Sequence, residues 1–225
     1  MRPINLRRYT IAAAFLLTWQ LSGPVFAFEL GTAEVEIEPY VKGGTIAWDE
    51  LRGVGGHKSL IAGGLNALAT FDDIGAGFNF EKWWLGEPLD DDKGIIPNEG
   101  HRFSADARYF FKPTEQLRLY PLAGLGYEHW SRHDAVGSWR SINFPYWSLG
   151  GGAEYQHSYM KFALLMPFSA SADNGPDPKS RVGLSADAGI RLLNFTVGLF
   201  FRSVGFEDPD AKMVQAGVML GYTFK

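Results

Sequence analysis

The sequence predicts an all-β fold, a transmembrane antiparallel up-and-down β-barrel of about ten strands. Three observations predict it. Strict apolar alternation keeps returning along the chain, the connections alternate between short and long, and the last segment, "MVQAGVMLGYTFK" (Met213–Lys225), is built as a strand with two different faces. Successive side chains of a strand point to opposite faces, so a period of two separates an apolar side from a polar one. In the last segment Val214, Ala216, Val218, Leu220, Tyr222 and Phe224 share one side, and Gln215, Gly217, Met219, Gly221 and Thr223 the other. The apolar side is about as long as a tilted transmembrane strand requires, roughly 9–11 residues.

The N-terminal residues carry an export signal. "MRPINLRR" brings three arginines and no acid, "YTIAAAFLLTW" is a short apolar stretch, and "LSGPVFA" places Val25 and Ala27 where a signal peptidase reads small residues. Residues 1–27 are therefore expected to be a cleaved Sec-type secretory signal peptide, and 28–225 the barrel domain. The apolar stretch is too short for a comfortable membrane-spanning helix. Of 21 Lys+Arg and 25 Asp+Glu, removing Arg2, Arg7 and Arg8 leaves 18 basic against 25 acidic residues, a net charge of −7. That balance argues against nucleic acid as a partner. Cysteine is absent, so neither disulfides nor thiol chemistry are available in the oxidising compartment. About 198 residues form one domain of ordinary size, with no uninterrupted apolar run long enough for a spanning helix.

Taken in order, the strands justify themselves by alternation. "HRFSADARYFF" sets Phe103, Ala105, Ala107, Tyr109 and Phe111 against Arg102, Ser104, Asp106 and Arg108. "RVGLSADAGIRL" sets Val182, Leu184, Ala186, Ala188, Ile190 and Leu192 against Arg181, Ser185, Asp187 and Arg191, and "NFTVGLFFR" sets Phe195, Val197, Leu199 and Phe201 against Thr196, Gly198 and Arg202. Tight turns read at "FDD" (71–73), "KPTEQ" (112–116), "QHS" (156–158) and "LLN" (192–194), with longer polar segments "DELRGVGGH", "GEPLDDDKGIIPNEG", "SRHDAVGSWRS", "SADNGPDPKS" and "EDPDAK" between them. Short turns on one side and long loops on the other are the habit of outer-membrane barrels. Eight strands is the alternative, because Gly43, Gly44, Gly63 and Gly64 blur the alternation in 33–48 and 60–80. Trp48, Trp83, Trp84, Trp130, Trp147, Tyr155, Tyr222 and Phe224 fall near strand ends, where aromatic girdles are expected. A soluble barrel or sandwich would alternate in the same way; the loop asymmetry and the terminal strand favour the membrane form.

On these residues the chain resembles the small Gram-negative outer-membrane β-barrel proteins, of the OmpA, opacity and omptin architecture, over its whole mature length. The resemblance implies that Tyr222 and Phe224 form an assembly signal read by the barrel-assembly machinery; Lys225 departs from the family's aromatic ending by one residue. It also implies location in the cell outer membrane, with outer-membrane lipid and lipopolysaccharide as partners. Architecture does not name an activity.

With the apolar faces toward lipid, the opposite faces predict a lumen charge network: Glu34, Glu36, Glu38, Lys42, Glu81, Arg102, Asp106, Arg108, Arg118, Glu128, Glu154, Lys161, Asp187, Arg191 and Arg202. Seven are basic and eight acidic. Such a set forms either a plug of internal ion pairs, since narrow barrels are filled by side chains, or a water-lined path for ions and small solutes. Near balance argues against strong ion selectivity in both cases.

The expected role is structural or surface interaction, without enzymatic activity; the alternative is a narrow, passive porin-like channel, and a third reading is a rim-sited hydrolase. For that third reading, His133–Asp134 and Asp90–Asp92 resemble omptin acids and their His-Asp pair, but adjacent strand residues face opposite ways and no wider motif matches. His157–Ser158 sits at a predicted periplasmic turn, the wrong side for lipid A deacylation. Asp90–Asp92 and Asp173, Asn174 and Asp177 lack calcium-loop spacing, and the five histidines lack metal-ligand spacing, so neither metal nor cofactor is expected. Arg132, His133 and Arg140, in one outer loop, are candidate contacts for lipopolysaccharide phosphates.

Overall fold

A computed structural model describes residues 33–50, 54–88, 99–131, 141–173, 177–207 and 210–224. The expected signal peptide, residues 1–27, lies outside them. The described residues form twelve strands: β1 (Glu34–Glu50), β2 (Val54–Phe71), β3 (Ile74–Pro88), β4 (Glu99–Tyr109), β5 (Phe111–Thr114), β6 (Leu117–Ser131), β7 (Ser141–Tyr155), β8 (Ser158–Pro167), β9 (Ser171–Ala172), β10 (Ser180–Leu192), β11 (Phe195–Glu207) and β12 (Asp210–Tyr222). The short β5 and β9 only edge β6 and β7. The other ten pair antiparallel, each with its chain neighbour, and β12 pairs with β1 from Tyr40↔Gly221 to Glu50↔Ala211. The ring is therefore closed, ten-stranded and up-and-down, and it has no free edge to leave backbone groups unpaired in lipid. This is the architecture of a small outer-membrane β-barrel.

Closure also resolves the choice between eight and ten strands. The glycine-blurred segments are β1 and the β2–β3 hairpin, and β1 pairs with β2 without interruption from Glu34↔Thr70 to Glu50↔Val54. Several strands run longer than a bilayer needs: β2 has 18 residues, against the roughly 9–11 of a tilted spanning strand. Two of the polar segments read from sequence as loops are consequently strand over much of their length, at Asp49, Glu50 and Val54–His57 and at Glu207 and Asp210–Lys212. Polarity there marks where the strands leave the apolar band, and backbone pairing continues beyond it.

The outer wall is apolar. Phe78, Leu125, Leu149, Phe162, Leu164, Val197, Leu199, Val218 and Leu220 are all exposed on it, a surface that water would penalise and hydrocarbon accepts. Trp84, Trp147 and Tyr155 are exposed among them, whereas Trp83 and Trp130 are buried inside the barrel. The girdle expected from sequence thus loses two members. Trp83 and Trp84 are neighbours on one strand, so one must face inward. The Trp48 side chain lies outside the description.

All four tight turns fall where the sequence sets them, and three turn on residues with left-handed backbone: Asp72 (φ 52°), Gln156 (φ 51°) and Leu193 (φ 58°). Asp tolerates this region; Leu does not, and Leu193 is 96% exposed, with little packing in return. Leu193→Asn is expected to stabilise the barrel by about 1 kcal/mol, measured by urea unfolding in lipid vesicles followed by tryptophan fluorescence. An unchanged or lowered midpoint would show that Leu193 contributes through contacts with the bilayer surface.

The seam between first and last strands has its own fastening. Ile37 and Phe224 exchange backbone bonds of 3.0 and 2.8 Å. Below them, Glu38 accepts from Asn66 Nδ2 of β2 (3.2 Å), Thr196 Oγ1 of β11 (2.7 Å) and Thr223 Oγ1 (3.0 Å). One buried carboxylate thereby ties strands on both sides of the closure.

Candidate functional site

The lumen is built in two layers by the inward half of the alternation. Its middle is polar, and toward the short turns ion pairs stand beside a small apolar cluster of Leu68, Phe110, Tyr120, Leu122 and Ala163. Glu81 on β3 is the hub, accepting from Lys42 Nζ on β1 (2.8 Å), Arg102 on β4 (2.9 Å) and the Tyr40 hydroxyl (2.8 Å). Asn79 Nδ2 donates to Tyr40 (2.8 Å) and to Asn66 (2.7 Å), and Asn66 in turn reaches Glu38. Asp106 holds Arg108 (2.5 Å) and Lys161 (3.1 Å). Glu154 pairs with Arg118 across the β6–β7 ladder and lies 3.7 Å from Arg191. A buried ion that lacks a partner costs several kcal/mol, so each cation here is matched to a carboxylate, on its own strand, on a nearby one, or across the lumen as Lys161 of β8 meets Asp106 of β4. Between these groups runs a cavity of about 160 Å³, lined by Glu36, Lys42, Asp106, Tyr159 and Arg191 among others.

Toward the loop end the lumen changes character. Ile46, Leu60, Trp83, Trp130, Ile142, Phe144, Val204, Phe206 and Met213 form one buried cluster inside the barrel. Trp130, Phe144 and Phe206 meet edge to face with centroids 5.0–5.7 Å apart, the arrangement ring quadrupoles favour. Fully burying each large apolar side chain is worth about 1.5–3 kcal/mol, so the cluster is a stabilising core. Glu128 joins it to the polar layer: one oxygen accepts from Trp130 Nε1 (2.8 Å) and the other from Arg202. At the short-turn end Phe110 turns inward and packs on Tyr120, with the Arg118 guanidinium 4.3 Å above its ring.

Inward aromatics are seated on glycines. Tyr40 lies opposite Gly64, and Tyr146 opposite Gly126. A Cβ added at Gly64 would come within 2.5 Å of the Tyr40 ring, and one at Gly126 would overlap Tyr146. Trp83 over Gly100 and Tyr120 over Gly152 repeat the joint. The missing side chain lets a ring lie flat along the wall, where it can also receive a cation, as Tyr146 receives Arg202 at 5.3 Å.

The fifteen charged residues named from sequence are distributed as follows. Glu38, Lys42, Glu81, Arg102, Asp106, Arg108, Arg118, Glu128, Glu154, Lys161, Arg191 and Arg202 make the bonds just described. Glu36 and Asp187 line the cavity, with Asp187 opposite Lys161 in the β8–β10 ladder. Glu34 is exposed at the short-turn rim. Tyr222 meets Phe224 edge to face at 4.9 Å and Phe195 likewise at 5.1 Å. Sequence reasoning missed Tyr40, Asn66, Asn79, Thr196 and Thr223, neutral donors with no charge to flag them, and it missed the apolar layer altogether. Arg132, His133 and Arg140, and the acids Asp90–Asp92 and Asp134, lie outside the described residues. His157 and Ser158 are exposed at the short-turn end. Among the described residues no group of three or more His, Asp or Glu could hold a metal ion.

No protein-family model matches the chain, and a comparison with curated protein sequences finds no match. Among solved structures it is similar to the outer membrane protease OmpT from Escherichia coli, with TM-score 0.45 and 12% identity over 84% of this chain and 96% of that one. It is also similar to the translocator domain of autotransporter NalP from Neisseria meningitidis, with TM-score 0.41 and 13% identity over 96% and 97%. For Neisserial surface protein A the TM-score is 0.38, with 11% identity over 85% and 99%. At such identities no residue role is carried from one chain to the other.

Proposed function

We propose that the protein is an integral outer-membrane barrel with a sealed lumen, whose role is structural or surface interaction through its loop end. The single observation that carries this reading is the buried Trp130–Phe144–Phe206 cluster, which stands across the lumen at the loop end above an ion-paired layer. A passive channel needs a continuous water path; here the polar cavity is bounded by apolar packing. On this reading the N-terminal signal directs export, the short turns face the periplasm, the barrel-assembly machinery reads Tyr222 and Phe224, and the segment holding Arg132, His133 and Arg140 meets lipopolysaccharide.

Because the chain has no cysteine, a single introduced thiol tests the orientation. Ser138→Cys, between β6 and β7, is expected to react with a membrane-impermeant maleimide on intact cells. His157→Cys, in a short turn, is expected to react only after the outer membrane is permeabilised. The reverse pattern, or equal labelling of both, would remove the reading.

A further inference from the structure

The lipid-facing wall carries one polar row that the lumen does not explain. Lys82 of β3, His101 of β4, His129 of β6 and Asn143 of β7 are direct ladder partners in sequence, Lys82↔His101, His101↔His129 and His129↔Asn143. They cross four adjacent strands on the outside of the barrel. The next row toward the membrane centre is Phe80, Phe103, Tyr127 and Pro145, partnered in the same order. Four strands at ~4.8 Å spacing make a strip about 14 Å wide.

The row is organised internally. The imidazoles of His101 and His129 stack with centroids 4.9 Å apart, and His101 also lies edge-on to Phe103 at 5.6 Å. Asn143 Oδ1 accepts from the Tyr127 hydroxyl at 2.6 Å and contacts His129 Nδ1 at 2.7 Å. An acceptor there fixes the His129 proton on Nδ1 and makes the Asn143 amide nitrogen the row's donor end. Lys82 Nζ sits 5.5 Å over the Trp84 ring and 3.5 Å from Glu99 Oε2, an exposed and loose pair that a stronger anion displaces readily.

Depth selects the occupant. Lys82 lies eight residues along β3 from Ile74, and His101 eight along β4 from Tyr109. That is ~26 Å of strand at ~3.3 Å per residue, or about 20 Å of height at a tilt near 40°. Asn143 lies twelve residues from Tyr155, about 30 Å up by the same measure. The row therefore crosses the upper edge of an apolar band about 25 Å tall, where acyl chains give way to headgroups. Below it aromatic rings meet hydrocarbon; on it a lysine, two imidazoles and an amide meet whatever lies at headgroup depth.

The geometry points to a headgroup site: the Lys82–His101–His129–Asn143 row binds the phosphorylated sugar headgroup of an outer-leaflet glycolipid, whose acyl chains lie on Phe80, Phe103 and Tyr127. It rests on the outer-membrane reading with the loop end outward.

The test uses the full mature protein in phosphatidylcholine nanodiscs containing lipopolysaccharide, or the same lipopolysaccharide stripped of its phosphates, with bound lipid quantified by native mass spectrometry. Wild type is expected to retain phosphorylated lipopolysaccharide at least tenfold better than Lys82→Ala/His101→Ala/His129→Ala, and better than it retains the stripped lipid. Lys82→Glu, a change at one exposed side chain, is expected to give most of the loss and guards against misfolding of the triple variant. Heat-modifiable gel migration of every variant separates failure of this site from failure of the barrel reading. Equal retention by wild type and Lys82→Glu, or equal binding of stripped and phosphorylated lipid, would overturn the proposal. So would a dimer that the variants abolish, which would give the row to a second copy of the chain.

Discussion

Glu81→Ala is expected to destabilise the barrel by about 3–5 kcal/mol, the cost of leaving a buried charge without its partner. Glu81 is 3% exposed and is shared by Lys42, Arg102 and Tyr40. Alanine strips two cations and a phenol of their common acceptor, and Lys42, 5% exposed, has little water to turn to. Glu81→Gln keeps the shape and part of the bonding, so a smaller loss is expected. In Glu81→Ala/Lys42→Met, part of the loss should return, because an apolar replacement for a buried pair is often neutral, while Arg102 still lacks its acceptor. Urea unfolding in vesicles checks all three. A loss under about 1 kcal/mol for Glu81→Ala, the range of exposed pairs, would mean that lumen water resolvates the cations.

Gly126→Val opposes two physical effects of opposite sign. Local strand propensity favours valine over glycine, while the Tyr146 ring occupies the space a side chain would need. Overpacking typically costs about 1–3 kcal/mol, and the displaced ring here would be driven toward Arg202. A loss of about 3 kcal/mol is therefore expected, at the upper end of that range. In a Tyr146→Ala background the same substitution should cost little, a coupling that a double-mutant cycle reads directly. Equal losses in both backgrounds would show that the wall itself, and not the ring, rejects the side chain.

The barrel was legible because its outer wall obeys one rule across the middle of the strands. There Val197, Leu199 and Phe201, or Val218 and Leu220, alternate with inward residues, and hydrocarbon disfavours exceptions within that band. The short turns were equally clear. The lumen was only half legible. Charged residues such as Arg102, Asp106 and Arg202 stand out against an apolar strand, but their partners are set by which strands lie side by side. Glu38 meets Thr223 across 185 residues of chain, a distance no local pattern encodes. The apolar layer escaped for a different reason. Near the loop end both faces are apolar, as in Phe144, Pro145, Tyr146 and Trp147, and a strand with two apolar faces carries no sign of which one is inside. The row of Lys82, His101, His129 and Asn143 is likewise a product of register, since its members come from four separate strands.

The most direct test of a sealed barrel is the single-channel conductance of the refolded mature protein in a planar lipid bilayer, run only on samples that show heat-modifiable migration. With Trp130, Phe144 and Phe206 closing the loop end, the folded protein is expected to insert and stay silent. Trp130→Ala/Phe206→Ala, which removes two of the three rings, is expected to give steps where wild type gives none. Reproducible steps from the wild-type barrel, above those of a denatured control, would contradict the sealed lumen and make passage of ions its function.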